Sequence, residues 1–218
     1  MNRKLRLALA LLISSLPGKP IRRALYSLLP GTQIARDASI GHRVLIAVDR
    51  FTCGSGVTIR RGTSFVGPIE VELGDGTFIG RANRIECGDA AADPSQAGMN
   101  YRRRFVTGRN CLINDSHLID VLGLVSIGDG SWLAGFASQF LTHGAGTMNR
   151  DIHIGRDCFL GSAVRFAPGS GVADRTIVAL GSVVTKSFTE TDIVIGGVPA
   201  RVIKAREGDG DYTFQKIW

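Results

Sequence analysis

The chain is predicted to fold as an all-β solenoid, a stacked parallel coil with three short flat faces per turn. Three observations carry that reading. Short aliphatic–glycine phrases recur about every six residues, a period that is neither helical nor a plain strand alternation. From Ile40 the chain runs IGHRVL, IAVDRF, CGSGVT, IRRGTS, VGPIEV, LGDGTF and IGRANR, with one-residue slips; it resumes at IGDGSW and LAGFAS, then at IGRDCF, LGSAVR, FAPGSG, VADRTI and VALGSV. The fifth place of these phrases is small or β-branched. Hydrophobic residues make up 44% of the chain but aromatics only 7%, which suits a narrow shaft lined by Ile, Leu and Val.

Each place in the repeat has a physical reason. The aliphatic residue points into the shaft and packs on its copies one coil above and below. The fifth residue turns inward at a corner, where only a small side chain fits. Glycine at the second place lets the chain bend without a Cβ clash. No single repeat can bury its face alone, so many must stack. With about eighteen residues per coil and a rise of roughly 4.8 Å, residues 34–198 hold about seven coils, a prism on the order of 35 Å tall.

This repeat, covering roughly three quarters of the chain, resembles the hexapeptide-repeat acyltransferases. The resemblance implies a left-handed parallel β-helix, an exception to the right-handed crossover rule. It also implies a homotrimer with active sites in the grooves between prisms. The 218 residues allow one such domain with flanking segments, 1–33 before it and 199–218 after it as a closing segment and tail.

The flanks and interruptions follow in order. MNRKLR and LALALLISSL open the chain, and PGKPIRRALYSLLPG follows. The apolar run falls far short of the ~20 residues a membrane-spanning helix needs, and no small-x-small cleavage site follows it. Two short helices broken at Pro17 and Pro20 are predicted, with Leu and Ile on one face and Arg on the other. They read equally well as a cap on the bottom of the shaft or as an anchor lying on a membrane surface. Between about 89 and 108 the period fails, and DAADPSQAGMNYRRRF reads as an extruded loop whose Arg102, Arg103 and Arg104 either meet a phosphate-bearing substrate or form a solvated rim. HGAGTMNRD, residues 143–151, is a second, shorter loop.

Cys53, Cys87, Cys111 and Cys158 show neither a CxxC pair nor metal-ligand spacing, so buried free thiols in a reducing compartment are expected. A net charge of +7 without a nucleic-acid motif or interleaved aromatics speaks against nucleic acid and for anionic small molecules.

Of the four histidines, His153 lies between Ile152 and Ile154 in a strand and is expected to face outward, and His42 is read as a surface residue. His143 ends a coil and opens a loop. Its LTHG setting resembles the stretch that carries the catalytic histidine of the acyltransferase family, which implies a general base for direct transfer of an acyl group from a thioester to an alcohol. The tetrahedral oxyanion would need a donor, most simply a backbone N–H of a neighbouring coil. The coil before it, GRNCLINDSHLIDVLGLVSIGDG, corresponds to the acceptor-sugar site of related O-acetyltransferases. By that resemblance Asn114, Asp115, His117 and Asp120 are candidates for holding the substrate, with hydrogen bonding to corner amides the alternative.

The run IGRDCFLGSAVRFAPGSGVADRTIVALGSVVTKSFTETDIVIGGVPARVIK resembles the stretch along which acetyl-CoA lies in sugar O-acetyltransferases. The match implies Ser162, Ala179 and Leu180 along the pantetheine arm, Thr185 and Lys186 further on, and Arg201 and Lys204 near the phosphates and adenine. Phe159 stands where many relatives have Trp, and Leu180 replaces a small residue. The expectation is an acetyl-CoA-dependent O-acetyltransferase acting on a surface polysaccharide or its lipid- or nucleotide-linked precursor, in the cytoplasm or on the inner face of the membrane. No metal is expected. N-acetylation of an amino sugar remains open, as do a carbonic-anhydrase-like hydratase, which needs three imidazoles on one ion, and a non-catalytic scaffold.

Overall fold

A computed structural model describes residues 1–144 and 147–207. The described residues wind through seven complete coils, spanning 39–53, 58–73, 78–107, 112–127, 132–154, 159–172 and 177–188. Each coil lays down strands on three faces in turn. The first face stacks Ser39–Ile40, Thr58–Ile59, Phe78–Ile79, Leu112–Asp115, Trp132–Phe136, Phe159–Leu160, Ile177–Val178 and Ile193–Gly197. The second face holds Arg84–Glu86, Leu118–Asp120, Gln139–Phe140, Arg165–Phe166 and Val183–Val184; the third holds Thr32–Ile34, Arg104–Thr107, Leu124–Ile127, Ile152–Ile154, Gly171–Val172 and Ser187–Phe188. The long strands Leu45–Cys53 and Ser64–Leu73 cross the corner and serve both of these faces. Between coils the strands are parallel and in register, as the six-residue period requires.

The inward columns explain the composition. On the first face Ile40, Ile59, Ile79, Ile113, Leu133, Leu160, Val178 and Ile195 stack as one buried aliphatic ladder. The second face carries Ile46, Phe65, Ile85, Ile119, Phe140, Phe166 and Val184, with the rings of Phe140 and Phe166 stacked at 4.9 Å. Small or polar residues fill the corners, among them Thr63, Asn83, Ser138 and Ser182 at one and Thr77, Ser131 and Thr176 at another. All four cysteines are free and buried.

The two ends of the stack lack the partners that its middle enjoys. Between coils the backbone bonds run both ways, as in Ser39 N–H to Val57 O and Gly62 N–H to His42 O. The lowest coil has no coil beneath it, so its downward-facing carbonyls need other donors, and leaving them unpaired is costly when they are buried. Helices α1 (Arg3–Ser15) and α2 (Lys19–Ser27) supply the donors. Buried Arg6 donates to Val48 O and Pro30 O, buried Arg22 donates to Ile40 O and Leu16 O, and the Tyr26 hydroxyl sits between Ala10 O and Val44 O. At the other end Ala200–Ala205 folds back antiparallel on Ile193–Gly197 and closes the first face. Residues 208–218 of the expected tail lie outside the described residues.

Two boundaries differ from the sequence reading. The long loop ends at residue 103 rather than near 108, because Arg104–Thr107 alternates exposed and buried and pairs with Glu70–Leu73. Pro20 does not break a helix; it sits in the first turn of α2, where a missing N–H costs nothing.

Candidate active site

Both extruded loops leave the same corner, between the second and third faces. Residues 88–103 leave after Arg84–Glu86, and 143–151 leave two coils higher after Gln139–Phe140. They are tied together at that corner. Arg102 Nη1 meets Asp151 Oδ2 at 2.6 Å, and Asp151 Oδ1 accepts from Leu124 N–H at 2.8 Å. Buried Arg150 lies 4.9 Å over the Tyr101 ring and donates to the carbonyls of Met99 and Met148. Beneath this clasp lies a cleft of about 400 Å³ lined by Cys87, Gly88, Ala90, Ala91, Gln96, Tyr101, Asp120, Leu122 and His143.

His143 stands at the corner with 62% of its side chain exposed. Asp120, at the same corner one coil below and 18% exposed, places Oδ2 3.0 Å from His143 Nδ1. The same oxygen accepts from Thr142 N–H at 2.9 Å, from the Thr142 hydroxyl at 2.8 Å and from His143 N–H at 3.1 Å. The carboxylate is thus held from three further directions. An ionised carboxylate can only accept, so Nδ1 carries the proton and Nε2 keeps its lone pair. Nε2 has no protein partner among the described residues. Buried Thr142 locks the turn further, its hydroxyl oxygen accepting from Leu122 N–H at 2.8 Å and Gly123 N–H at 3.0 Å. A base oriented by a carboxylate, with its free nitrogen facing a cleft, can take a proton from a bound hydroxyl.

The other expected substrate residues do not gather here. Only Asp120 joins His143. Asn114 and Asp115 lie on the first face at its corner with the second, where the Asn114 carbonyl accepts from Asn83 Nδ2 and Asp115 Oδ1 accepts from Arg81 N–H at 2.6 Å. His117 is 1% exposed inside the shaft, in the column of Thr63, Asn83 and Ser138, with Nδ1 accepting from Ser138 N–H at 3.1 Å. Burial lowers its pKa from 6.5 to about 4, with Asp115 pulling weakly the other way. A neutral ring enclosed in the shaft offers nothing to a sugar, so His117 is corrected from substrate ligand to core residue. Two of the three loop arginines are engaged by carboxylates. Arg102 is paired to Asp151 and Arg104 to Glu72 at 2.9 Å and Glu70 at 3.9 Å, whereas the Arg103 side chain lines a separate cleft with Ala91, Pro94 and Asn100.

No protein-family model matches the chain, and no curated protein sequence matches it. Solved structures do. The UDP-N-acetylglucosamine O-acyltransferase of Moraxella catarrhalis RH4 superposes with a TM-score of 0.59 at 16% identity, over 82% of this chain and 72% of that one. A hexapeptide-repeat-containing acetyltransferase of Vibrio cholerae O1 biovar eltor, solved with acetyl coenzyme A, is 21% identical over 94% of this chain and 87% of its own, with a TM-score of 0.46. The first of these likenesses is one of fold, an all-β left-handed parallel β-helix.

On this β-helix the expected cofactor residues occupy two edges of the second face. Ser162, Ala179 and Leu180 stack at its corner with the first face, and Leu180 is 79% exposed. Thr185 and Lys186 lie at the His143 corner, above it, with Lys186 Nζ 5.1 Å over the Phe188 ring. Arg201 and Lys204 are exposed on the closing strand, opposite Gly196 and Val194. A straight ligand running up one prism meets one of these sets, not both. His153 does face outward, its Nδ1 2.8 Å from Ser126 Oγ. His117, His143 and His153 lie in separate places, in the shaft, at a corner and on the third face, and no cluster of three metal-ligating side chains occurs among the described residues.

The sequence reading missed Cys87, Gln96 and Tyr101 in the cleft. Gln96 and Tyr101 arrive on the loop, whose path no periodicity specifies. Cys87 ends its second-face strand as Val121 does one coil higher, a relation visible only once the coils are aligned. Its thiol is pushed up to about 11, chiefly by burial and then by Asp120, which makes it a poor nucleophile.

Proposed function

We propose that this chain transfers an acetyl group from acetyl-CoA to a sugar hydroxyl of a surface polysaccharide or its lipid- or nucleotide-linked precursor, with His143 as general base. The observation that carries the reading is the 3.0 Å Asp120–His143 contact, which turns a basic Nε2 into the cleft under the two loops. Nε2 removes the hydroxyl proton as the oxygen attacks the thioester carbonyl. A C–O bond forms, the tetrahedral oxyanion collapses with cleavage of the C–S bond, and the imidazolium returns its proton to the departing thiolate. Asp120 stabilises the imidazolium between these steps and is a positioning residue rather than a sugar ligand. Cysteine acylation is not needed, since the thiols are pushed up to about 11 or 12 by burial.

The fold supports this reading, because the β-helix it matches belongs to an enzyme named as an O-acyltransferase of a nucleotide sugar. The split of cofactor candidates across two edges supports a homotrimer, in which a groove between prisms takes one edge from each neighbour. Asn114 and Asp115 would then face acceptor or cofactor from the adjacent subunit. Acetyl-CoA supply and four free thiols favour the cytoplasmic side.

The test is release of coenzyme A thiol from acetyl-CoA with a panel of neutral and amino sugars, free and diphosphate-linked. His143→Ala is expected to lose turnover by about 100-fold or more while still binding coenzyme A. Unchanged turnover removes His143 from the mechanism, and activity confined to amino groups replaces O-transfer by N-transfer.

A further inference from the structure

The helices at the foot of the prism cap it with one side and leave apolar residues on the other. Ala10, Ile13 and Tyr26 are buried, as are Arg6 and Arg22, the two arginines occupied with carbonyls of the lowest coil. Other apolar residues face outward: Leu5 and Leu11 are each 54% exposed, Leu12 62%, Ile21 51% and, at the C-cap of α2, Leu28 78%. Carbonyl capping explains the buried arginines but leaves the leucine face without a partner. A contiguous apolar helix face on the outside of a protein marks something it binds.

Beside this foot lies a cleft of about 590 Å³, and it is cationic. Lys19 of α2 lines it together with His42, Arg60, Arg61 and Arg81, around the ring of Phe78. These cations sit on successive coils at one corner. Gly62 N–H donates to His42 O and Ala82 N–H to Arg61 O, so the residues recur one above another at the coil spacing. Like charges stacked in register repel. The side chains of Lys19, Arg60, Arg61 and Arg81 form no ion pair among the described residues; Arg60 lies 5.9 Å over the Phe78 ring, and the one carboxylate at the top of the column, Asp115, is bound to the Arg81 backbone N–H at 2.6 Å. Lys19 joins the two features, since it opens the helix that carries Ile21 and ends at Leu28, its C-cap.

We propose that this foot docks on an anionic bilayer surface, the leucines entering the acyl boundary and the cation column meeting lipid phosphates. Charge complementarity selects this occupant: a purely apolar partner would leave the column unneutralised, and a soluble phosphate would leave the leucines wet. The helices lie on the membrane without crossing it, as no helix is long and apolar enough to span. Two weak elements acting together, apolar insertion and basic attraction, are the usual requirement for stable but reversible attachment.

Flotation of the full chain with vesicles tests this apart from any acyl transfer, because it reads partition and not turnover. With phosphatidylglycerol-containing vesicles the protein is expected to float, less so as salt rises, and with pure phosphatidylcholine much less. Leu11→Asp/Leu12→Asp is expected to lower the partition at least about tenfold. Arg60→Glu/Arg61→Glu is expected to remove the preference for anionic vesicles. Both pairs are surface changes, and an unaltered thermal transition checks that the fold is intact. The proposal is overturned if the wild type stays in the aqueous phase with both vesicles, or if the aspartate pair floats like wild type. It is equally overturned if the leucine face is occupied by a second copy in solution, or if inorganic pyrophosphate binds the column in a protein that never floats.

Discussion

Asp120→Asn separates the two roles open to this residue. The substitution is isosteric, and with the amide oxygen at the Oδ2 position it still accepts from Thr142 and His143, so the corner should keep its shape. What it removes is the negative charge 3.0 Å from Nδ1. Two unit charges about 4 Å apart interact by about 4 kcal/mol near a protein surface and about 1 kcal/mol in bulk water. His143 is well exposed and Asp120 is not, so an intermediate value of roughly 2–3 kcal/mol is expected for the imidazolium in the transition state. At about 1.4 kcal/mol per factor of ten this is a fall in kcat of about 30- to 150-fold. The KM for acetyl-CoA should hardly move. The assay is steady-state thiol release with acetyl-CoA and acceptor each varied, alongside a thermal melt. A preserved kcat with a raised acceptor KM would make Asp120 a sugar ligand, as the family resemblance suggested, and would refute the positioning role. No change in either constant would detach the pair from the chemistry altogether.

Other expectations follow from the same geometry. Cys87→Ala should leave turnover within about threefold, since burial holds the thiol at about 11 and a cysteine nucleophile is not used; loss of activity together with an acylated Cys87 by mass spectrometry would demand a covalent route. Arg150→Ala removes one of the two contacts between the loops and leaves the Arg102–Asp151 pair, so turnover should fall, by up to about tenfold, and limited proteolysis within 88–103 should accelerate; an unchanged digestion pattern would mean that the loops hold without it. His117 stays neutral in the folded chain down to about pH 4, whereas in the unfolded chain it binds a proton below 6.5. Stability should therefore fall as pH drops from 6.5 towards 4, by roughly 3 kcal/mol in all. His117→Asn, which matches Asn83 in the same column, should flatten that part of the profile in urea titrations; an identical slope would show that other groups cause it.

Much of this molecule is legible in its residues because the repeat is local. A six-residue phrase says which side chain points inward, so the buried ladder from Ile40 to Ile195, the small corners and the burial of Cys53 and Cys158 need no long-range information. His143 is legible for a similar reason: it ends a phrase and opens an insertion, which can only happen at a corner. Asn114, Asp115 and Asp120 show where that reasoning ends. They are close in sequence, yet the chain turns a corner between Asp115 and Leu118, so the first two lie at a different edge from the third. His117 was a candidate because its stretch resembles an acceptor-sugar site, and the column it stands in appears only when Thr63, Asn83 and Ser138 are aligned with it in space.

The primary structure alone thus determined the solenoid, its coil count and the placing of the imidazole, since each depends on a period that any stretch of the chain displays. Only the tertiary structure decided that both loops leave one corner and clasp over it, that Asp120 rather than Asn114 meets His143, and that Arg6 and Arg22 turn inward while leucines turn out. Those outcomes depend on accumulated slips between coils and on orphan carbonyls at the end of the stack, and both are properties of the assembled coils that no single repeat contains.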